Sequence, residues 1–298
     1  MIHRINSNNT ITLARALLAT GIIITLLFNT MSDLFPEHHI LEIKDNASGL
    51  MKLNYFLWFE NLSIPYYFSI VSLIIAICGF FPRYLSIVQS WVTYSVFHTM
   101  LIVEGGDQIS VILSLLMIPV CILDTRSNGW KMIRTKVKPD HRKGFWYYNA
   151  KCALLFIAVQ MAVLYLNAGI SKIFAAEWDS GTAVYYWFYD TTFGAPIWVK
   201  NSIGFLFTNK YSVSFINWGV IFLELSLFIT LFLKQDKKYI FFILGIIFHF
   251  FIILIHGLPT FFLAMSAGLI LYCFRLDKSI QENLNFIKIS FTQLKKQI

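Results

Sequence analysis

The sequence predicts an all-α fold: a polytopic membrane helix bundle of about eight transmembrane helices, both termini cytoplasmic, with interfacial helices on the outer face. Three observations predict it. Of the 298 residues, 57% are hydrophobic and only 13% are charged, which is more apolar surface than a soluble domain can hide. The apolar residues form continuous runs without two-residue alternation, so the spans are helices rather than barrel strands. The basic residues sit in short segments between those runs, where membrane topology accounts for the net charge of +8 without nucleic acid as a partner.

The runs can be taken in order. Ile11–Met31 resembles a signal peptide, but Asn29-Thr30-Met31-Ser32 leads into Asp33 with no small-residue cleavage site, so an uncleaved signal anchor is expected. Pro65–Phe81 and Leu85–Val103 follow, separated by a turn that holds Arg83. Gln108–Leu123 is a shorter run, and Asn149–Ser171 a longer one. Phe215–Leu233 and Tyr239–His256 are joined by a short loop and should be antiparallel neighbours, and Pro259–Phe274 closes the set. Each run has about 15 to 23 residues, near what a bilayer core requires. Residues 1–276 are expected to form the transmembrane domain, and 277–298 a cytoplasmic basic tail that is amphipathic through Ile280, Leu284, Phe286, Ile287, Phe291 and Leu294 and lies on the inner leaflet.

With eight spans the loop charges agree on one orientation. His3 and Arg4, Arg83, Arg126, Lys131, Arg134, Lys136, Lys138, Arg142, Lys143, Lys234, Lys237, Lys238, Arg275, Lys278, Lys288, Lys295 and Lys296 all fall on one side. Asp33, Glu37, Glu42, Asp45, Glu60, Glu104, Asp107, Glu177, Asp179 and Asp190 fall on the other. The positive-inside rule then places both termini in the cytoplasm. Two long aromatic segments, Ser32–Ile64 and Lys172–Ser214, face outward and are expected to form short helices over the outer mouth of the bundle. Cys78, Cys121, Cys152 and Cys273 lie inside apolar runs without metal-ligand or CxxC spacing, so they are expected to be core side chains and no metal site is expected.

Polar groups at membrane depth are costly without a partner or a task. Lys172 ends the fifth run in the segment Asn167 to Phe188, followed by Trp178, Asp179, Gly181 and the aromatic group Tyr185, Tyr186, Trp187 and Phe188. It is either a lysine snorkelling at a helix end or a functional cation. Gly105-Gly106-Asp107-Gln108 lies at the same level. It is either a plain turn, or Asp107 pairs with Lys172 while Gln108 supplies an amide. Glu224 and His249 fall at depths within about 3 Å of each other on neighbouring helices, which suits a proton relay or a structural hydrogen bond. His256 sits near the outer rim, and Trp178, Gly181, Tyr185, Tyr186, Trp187 and His256 are the candidate substrate-binding residues. Arg15, near the cytoplasmic end of the first run, is expected to snorkel. There is no serine nucleophile elbow, HExxH, P-loop or dinucleotide fingerprint.

At these residues the chain resembles the HTTM family, the transmembrane domain found in vitamin K-dependent gamma-carboxylase, and within it the SdpB family of bacterial sporulation-delaying peptide systems. The matching stretches are Leu13-Ala-Arg15, Gly105-Gly-Asp-Gln108, Ala168-Gly-Ile-Ser-Lys172, Glu177-Trp-Asp-Ser-Gly-Thr-Ala-Val-Tyr-Tyr-Trp-Phe188, and Phe248-His249 with the aromatic-rich eighth run. The resemblance to the carboxylase implies a base at Lys172 that deprotonates a quinol. The carboxylase has a histidine near the position of Gln108 and a lysine at that of Ser171. The resemblance to the peptide-system proteins implies a part in turning a secreted precursor into active peptide, together with a small SdpA-like partner.

Three functions follow as expectations. The first is a membrane maturation factor for a secreted antimicrobial peptide, with Lys172, Asp107 and Gln108 at an outward-facing polar site and Glu224 and His249 behind it. The second is a quinone-dependent carboxylase- or epoxidase-like enzyme with Lys172 as general base. The third is a non-catalytic immunity or transport protein, against which the absence of an inverted repeat argues. The lipid bilayer is a partner in all three.

Overall fold

The computed structural model describes residues 2–133 and 144–295, with the backbone alone for His3, Arg4 and residues 291–295. Among the sequence expectations, Arg134, Lys136, Lys138, Arg142, Lys143 and Lys296 lie outside the described residues, as do the side chains of His3, Arg4, Phe291, Leu294 and Lys295.

Among the described residues, eight longer helices stand where the eight apolar runs lie, with another in the tail. They are α1 (Thr10–Phe28), α2 (Ser63–Ile77), α3 (Pro82–Phe97), α4 (Gly105–Ile122), α5 (Phe145–Ile173), α6 (Lys210–Ile229), α7 (Gln235–His256), α8 (Pro259–Cys273) and α9 (Ile280–Lys295). Among the described residues, α1, α4, α5, α6 with its 3-10 extension to Phe232, and α7 are long and apolar enough to cross a membrane; α2 and α8 are shorter apolar helices. With 29 residues, α5 is about 44 Å long and overhangs a hydrocarbon core of about 30 Å at its ends. Polar residues at its tips, Lys172 among them, therefore reach the interface.

Burial identifies the helix that lies inside. Every residue of α8 from Ala264 to Cys273 is buried. It packs against α1, α4, α5 and α7. The outward faces carry Tyr67, Val71 and Ile74 on α2, Leu155, Phe156 and Val163 on α5, and Ile247 and Phe250 on α7, all exposed. A surface of that kind belongs against lipid rather than water, so the fold is a helical membrane bundle.

Helix ends follow local chemistry. Gly257, at φ +67°, ends α7 in the left-handed conformation, and Pro259 opens α8 at its first turn, the usual glycine-stop and proline-start pair. Between α2 and α3, Gly79 takes φ +75°, and a Cβ there would lie 2.6 Å from Cδ1 of Trp130. Trp130 Nε1 in turn donates to the carbonyl of Ile77 at 2.8 Å, tying the loop after α4 to this turn.

Ser32–Ile64 and Lys172–Ser214 form short helices, as expected. Met31–Leu34 and Glu37–Asn46 are followed by 3-10 turns at Gly49–Leu53 and Tyr55–Trp58; Ala176–Asp179, Ala183–Tyr189 and Ile197–Ile203 are followed by Gly204–Phe207. The first segment is bolted down by Asn54, which is fully buried and donates to Ser95 O at 3.2 Å and Thr99 Oγ1 at 2.7 Å. The second has its own small core of Phe188, Ala195, Val199, Phe207 and Val213, with Phe188 and Phe207 stacked at 3.9 Å.

Three expectations are corrected. The tail helix α9 docks on the bundle as well as presenting Leu284 and Ile289 outward: Asn283 is fully buried and accepts from Tyr239 Oη at 2.9 Å. A buried amide cannot face lipid unpaired, so it fixes that side of the helix against protein. Of the cysteines, Cys121 and Cys273 are buried but Cys78 and Cys152 are exposed, because their helices turn that face outward. Arg15 does not snorkel and is only 1% exposed, because α1 is enclosed by α8, α2 and α4.

Candidate functional site

Close approach of α5 and α6 builds the site. A Cβ at Gly169 would lie 2.8 Å from Cδ2 and 2.9 Å from Cγ of Leu225, so glycine lets the two backbones meet at that level. The residue beside Leu225 is Glu224, and one turn beyond Gly169 is Lys172. Lys172 Nζ donates to both carboxylate oxygens of Glu224 at 2.8 Å, and more weakly to Ala168 O at 3.3 Å. The side chains of Lys172 and Glu224 are 21% and 7% exposed, so the cation reaches the rim while the carboxylate stays inside.

The segment after α5 folds back over this pair. The indole of Trp178 lies 5.2 Å from Lys172 Nζ, within cation–π range. Asn217 of α6 holds it there by donating to the Trp178 carbonyl at 2.8 Å. Gly181, at φ +77°, makes the turn, and a Cβ there would meet Ser214 Oγ at 2.7 Å. Tyr185, Tyr186 and Trp187 are exposed further along the same segment. Trp187 meets the ring of His256 edge-on at 5.9 Å, and His256 Nδ1 lies 2.8 Å from Phe193 O. The aromatic segment and His256 thus form a cap continuous with the Lys172 rim.

Behind the ion pair, His249 Nε2 lies 3.0 Å from the hydroxyl of Tyr165. Both residues are buried, and His249 Nδ1 has no hydrogen-bond partner among the described residues. The expected Glu224–His249 bond is therefore replaced by two pairs, Glu224 with Lys172 and His249 with Tyr165. Depth was matched, but the two side chains leave their helices in different directions. Tyr165, two turns before Lys172 on α5, carried no signal of its own as one tyrosine within an apolar run.

The expected Lys172–Asp107 ion pair is not formed. Asp107 is buried and its Oδ2 accepts from the backbone N–H of Glu104 at 3.0 Å, so it caps its own helix. Glu104 completes the capping box by accepting from the Asp107 backbone N–H, and it also caps a second helix: its Oε1 accepts from the Thr260 hydroxyl and its carboxylate from the Phe261 backbone N–H, at the positive end of α8. Gly106 allows this junction, since a Cβ there would lie 2.7 Å from Phe261 Cα. Gln108 is exposed. The Gly105–Gln108 stretch is thus a clamp between α4 and α8. The Glu104-x-x-Asp107 spacing, a carboxylate at each end of a first turn, was the signal for it.

Burial raises the pKa of Glu104 above the ordinary carboxylate range. The folded state then binds this proton more tightly than the unfolded chain does, so ionising Glu104 lowers stability as pH rises from the unfolded value through the folded one. Glu104→Gln is expected to lose that pH dependence and to gain on the wild type at neutral pH relative to pH 4. Glu104→Ala should lose about 0.5–2 kcal/mol at both, as a lost helix cap. Thermal unfolding in detergent at the two pH values checks this.

A bundle of lipid-facing apolar helices, carrying an ion pair and an aromatic cap at its rim, defines a helical integral membrane protein. The chain is 30% identical to the sporulation-delaying protein SdpB of Bacillus subtilis (strain 168) over 284 residues, 92% of this chain and 84% of that protein. It is also 26% identical to the uncharacterized protein YitO of the same organism over 281 residues, 90% of this chain and 86% of YitO. The chain belongs to the SdpB family. No family model matches it, so the wider likeness to the HTTM domain rests on the motifs alone, and no solved structure matches it.

Proposed function

We propose that the chain is a multipass plasma-membrane protein of eight spans, with both termini cytoplasmic, required to mature a secreted antimicrobial peptide of the sporulation-delaying type. The observation that carries this is the 30% identity to SdpB across 92% of the chain. The working site is the outward rim around Lys172, with Glu224 as its counter-ion, Trp178 over it, and Gly181, Tyr185, Tyr186, Trp187 and His256 forming the surface that receives the precursor. Exposed aromatic rings with polar tips suit an extended peptide at a membrane interface. A small SdpA-like protein is the second partner. Asp107 and Gln108 hold the framework rather than the substrate. Deletion of the gene in its host, followed by mass spectrometry of the secreted peptide, tests this: the active product should disappear, and an unchanged product would overturn it.

One observation favours a second reading, a quinone-using step. A groove of about 290 Å³ on α6 is lined by Tyr211, Ser214, Phe215, Trp218, Gly219 and Phe222, on the helix that carries Glu224. Its aromatic walls and open glycine fit a flat, lipid-soluble ring. A quinol bound there would supply reducing equivalents. In this reading Lys172, paired with Glu224 at 2.8 Å, is the general base, and neither residue lines the groove itself. Extraction of purified protein for co-purifying quinone decides the matter, and full activity without it would end this reading.

A further inference from the structure

Away from the Lys172 rim, the half of the bundle near the start of α1 holds an unbalanced charge. Arg15 is the sixth residue of α1, about 8 Å along the helix axis from its start, and is 1% exposed. Its Nε donates to Gln89 Oε1 at 3.1 Å, and Gln89 Nε2 donates back to the Arg15 carbonyl at 2.9 Å. This two-way clamp fixes the plane of the guanidinium. Nη1 and Nη2 are both buried without a hydrogen-bond partner among the described residues.

The surroundings are polar but hold no free counter-ion among the described residues. Ser86, Gln89, Ser90 and Thr93 recur on α3 at helical spacing and are all buried. Cys121 of α4 is buried and lies within electrostatic reach of Arg15, while Ser86 Oγ donates to the carbonyl of Arg83 at 3.3 Å. Asp124, just after α4, has both oxygens taken by Arg126, at 2.9 and 2.6 Å, and that guanidinium also binds the carbonyls of Asn8, Gly129 and Lys131. One arginine is thus fully satisfied, and the other keeps two amino groups aimed into the interior.

A guanidinium stays charged in any protein environment. An unpaired one inside a bundle costs several kcal/mol. Its free Nη1–Nη2 edge matches the two oxygens of a carboxylate in a bidentate bond. We propose that Arg15 anchors a buried site at the junction of α1, α3 and α4 that binds a small carboxylate anion, with Gln89 holding the fork in place.

Formate and acetate are the probes, added to the full chain in detergent against an equal concentration of chloride. Thermal unfolding of the wild type should shift upward and saturate with formate or acetate, and Arg15→Gln should show no shift. Arg15→Lys keeps the charge but not the fork and should bind formate roughly tenfold more weakly or worse, the worth of one charge-assisted hydrogen bond. The proposal is overturned if neither carboxylate stabilises the wild type saturably, if chloride does so equally well, or if Arg15→Gln responds as the wild type does. Should Arg15→Gln fail to accumulate, line broadening of carbon-13 formate by wild type and Arg15→Lys decides: broadening by the wild type alone, reversed by acetate, supports the site, whereas none, or the same in both, overturns it.

Discussion

Lys172→Met is expected to abolish production of the active peptide and to lower stability by about 2–3 kcal/mol. The loss of stability arises at Glu224, whose carboxylate is 7% exposed and would be left inside the bundle without its cation. Breaking a fully buried pair from one side costs ~3–5 kcal/mol, and the smaller figure applies because this pair is only partly buried, the Lys172 side chain being 21% exposed. A loss of activity in this variant alone would be ambiguous. The double variant Lys172→Met, Glu224→Met removes the ambiguity, because replacing both partners of a buried pair by apolar side chains of similar size is close to neutral. It should recover wild-type unfolding behaviour and still produce no active peptide. Glu224→Gln leaves a lysine at the rim, which can turn outward, so its stability should fall less than that of Lys172→Met. Secreted peptide measured by mass spectrometry, alongside unfolding in detergent, gives both readouts. Wild-type peptide from the double variant would remove Lys172 from the mechanism.

The bundle was legible because continuous apolar runs of membrane length have few other fates: each of the eight runs overlaps a helix, and among the described residues five of those helices are long and apolar enough to cross a membrane. Boundaries moved where local chemistry overrides hydropathy: α3 starts at Pro82 and α4 at Gly105, where a proline and a pair of capping carboxylates set the first turn. The central position of α8 was not legible, because lipid-facing helices lack a polar face as well. The site was legible in part. Depth along each helix singled out Lys172, Glu224 and His249, since rise per residue converts sequence directly into level. Partnership was not legible, because it depends on the direction in which each side chain leaves its helix and on which helices touch. Asp107 and Lys172 share a level, yet Asp107 turns back to its own helix start, while Gly169 draws α5 against α6 and delivers Glu224 instead. Arg15 shows the same limit. A position near a helix end suggested an escape route to the interface, but three neighbouring helices close it.

Gly106→Ala should be among the most destabilising single changes in the outer half of the bundle, at about 1–3 kcal/mol. The added methyl would lie 2.7 Å from Cα and 3.1 Å from N of Phe261. These are backbone atoms, so no side-chain rotation relieves the clash and the start of α4 must move off the start of α8. That movement also pulls Glu104 away from Thr260 and the Phe261 N–H, so a helix cap is lost together with the packing. Gly105→Ala provides the control. Its Cβ would meet only the ring of Phe261, at 3.5 Å, an ordinary contact, and alanine favours a helix over glycine, so this variant should be neutral or slightly stabilised. The ring of Phe261 also packs on His249, with centroids 5.5 Å apart, which connects the clamp to the Tyr165–His249 pair behind the site. Gly106→Ala is therefore expected to lower peptide maturation as well as stability. Thermal unfolding of both glycine variants in detergent checks the clamp: equal midpoints for Gly105→Ala and Gly106→Ala would mean that α4 and α8 are not held together at this point.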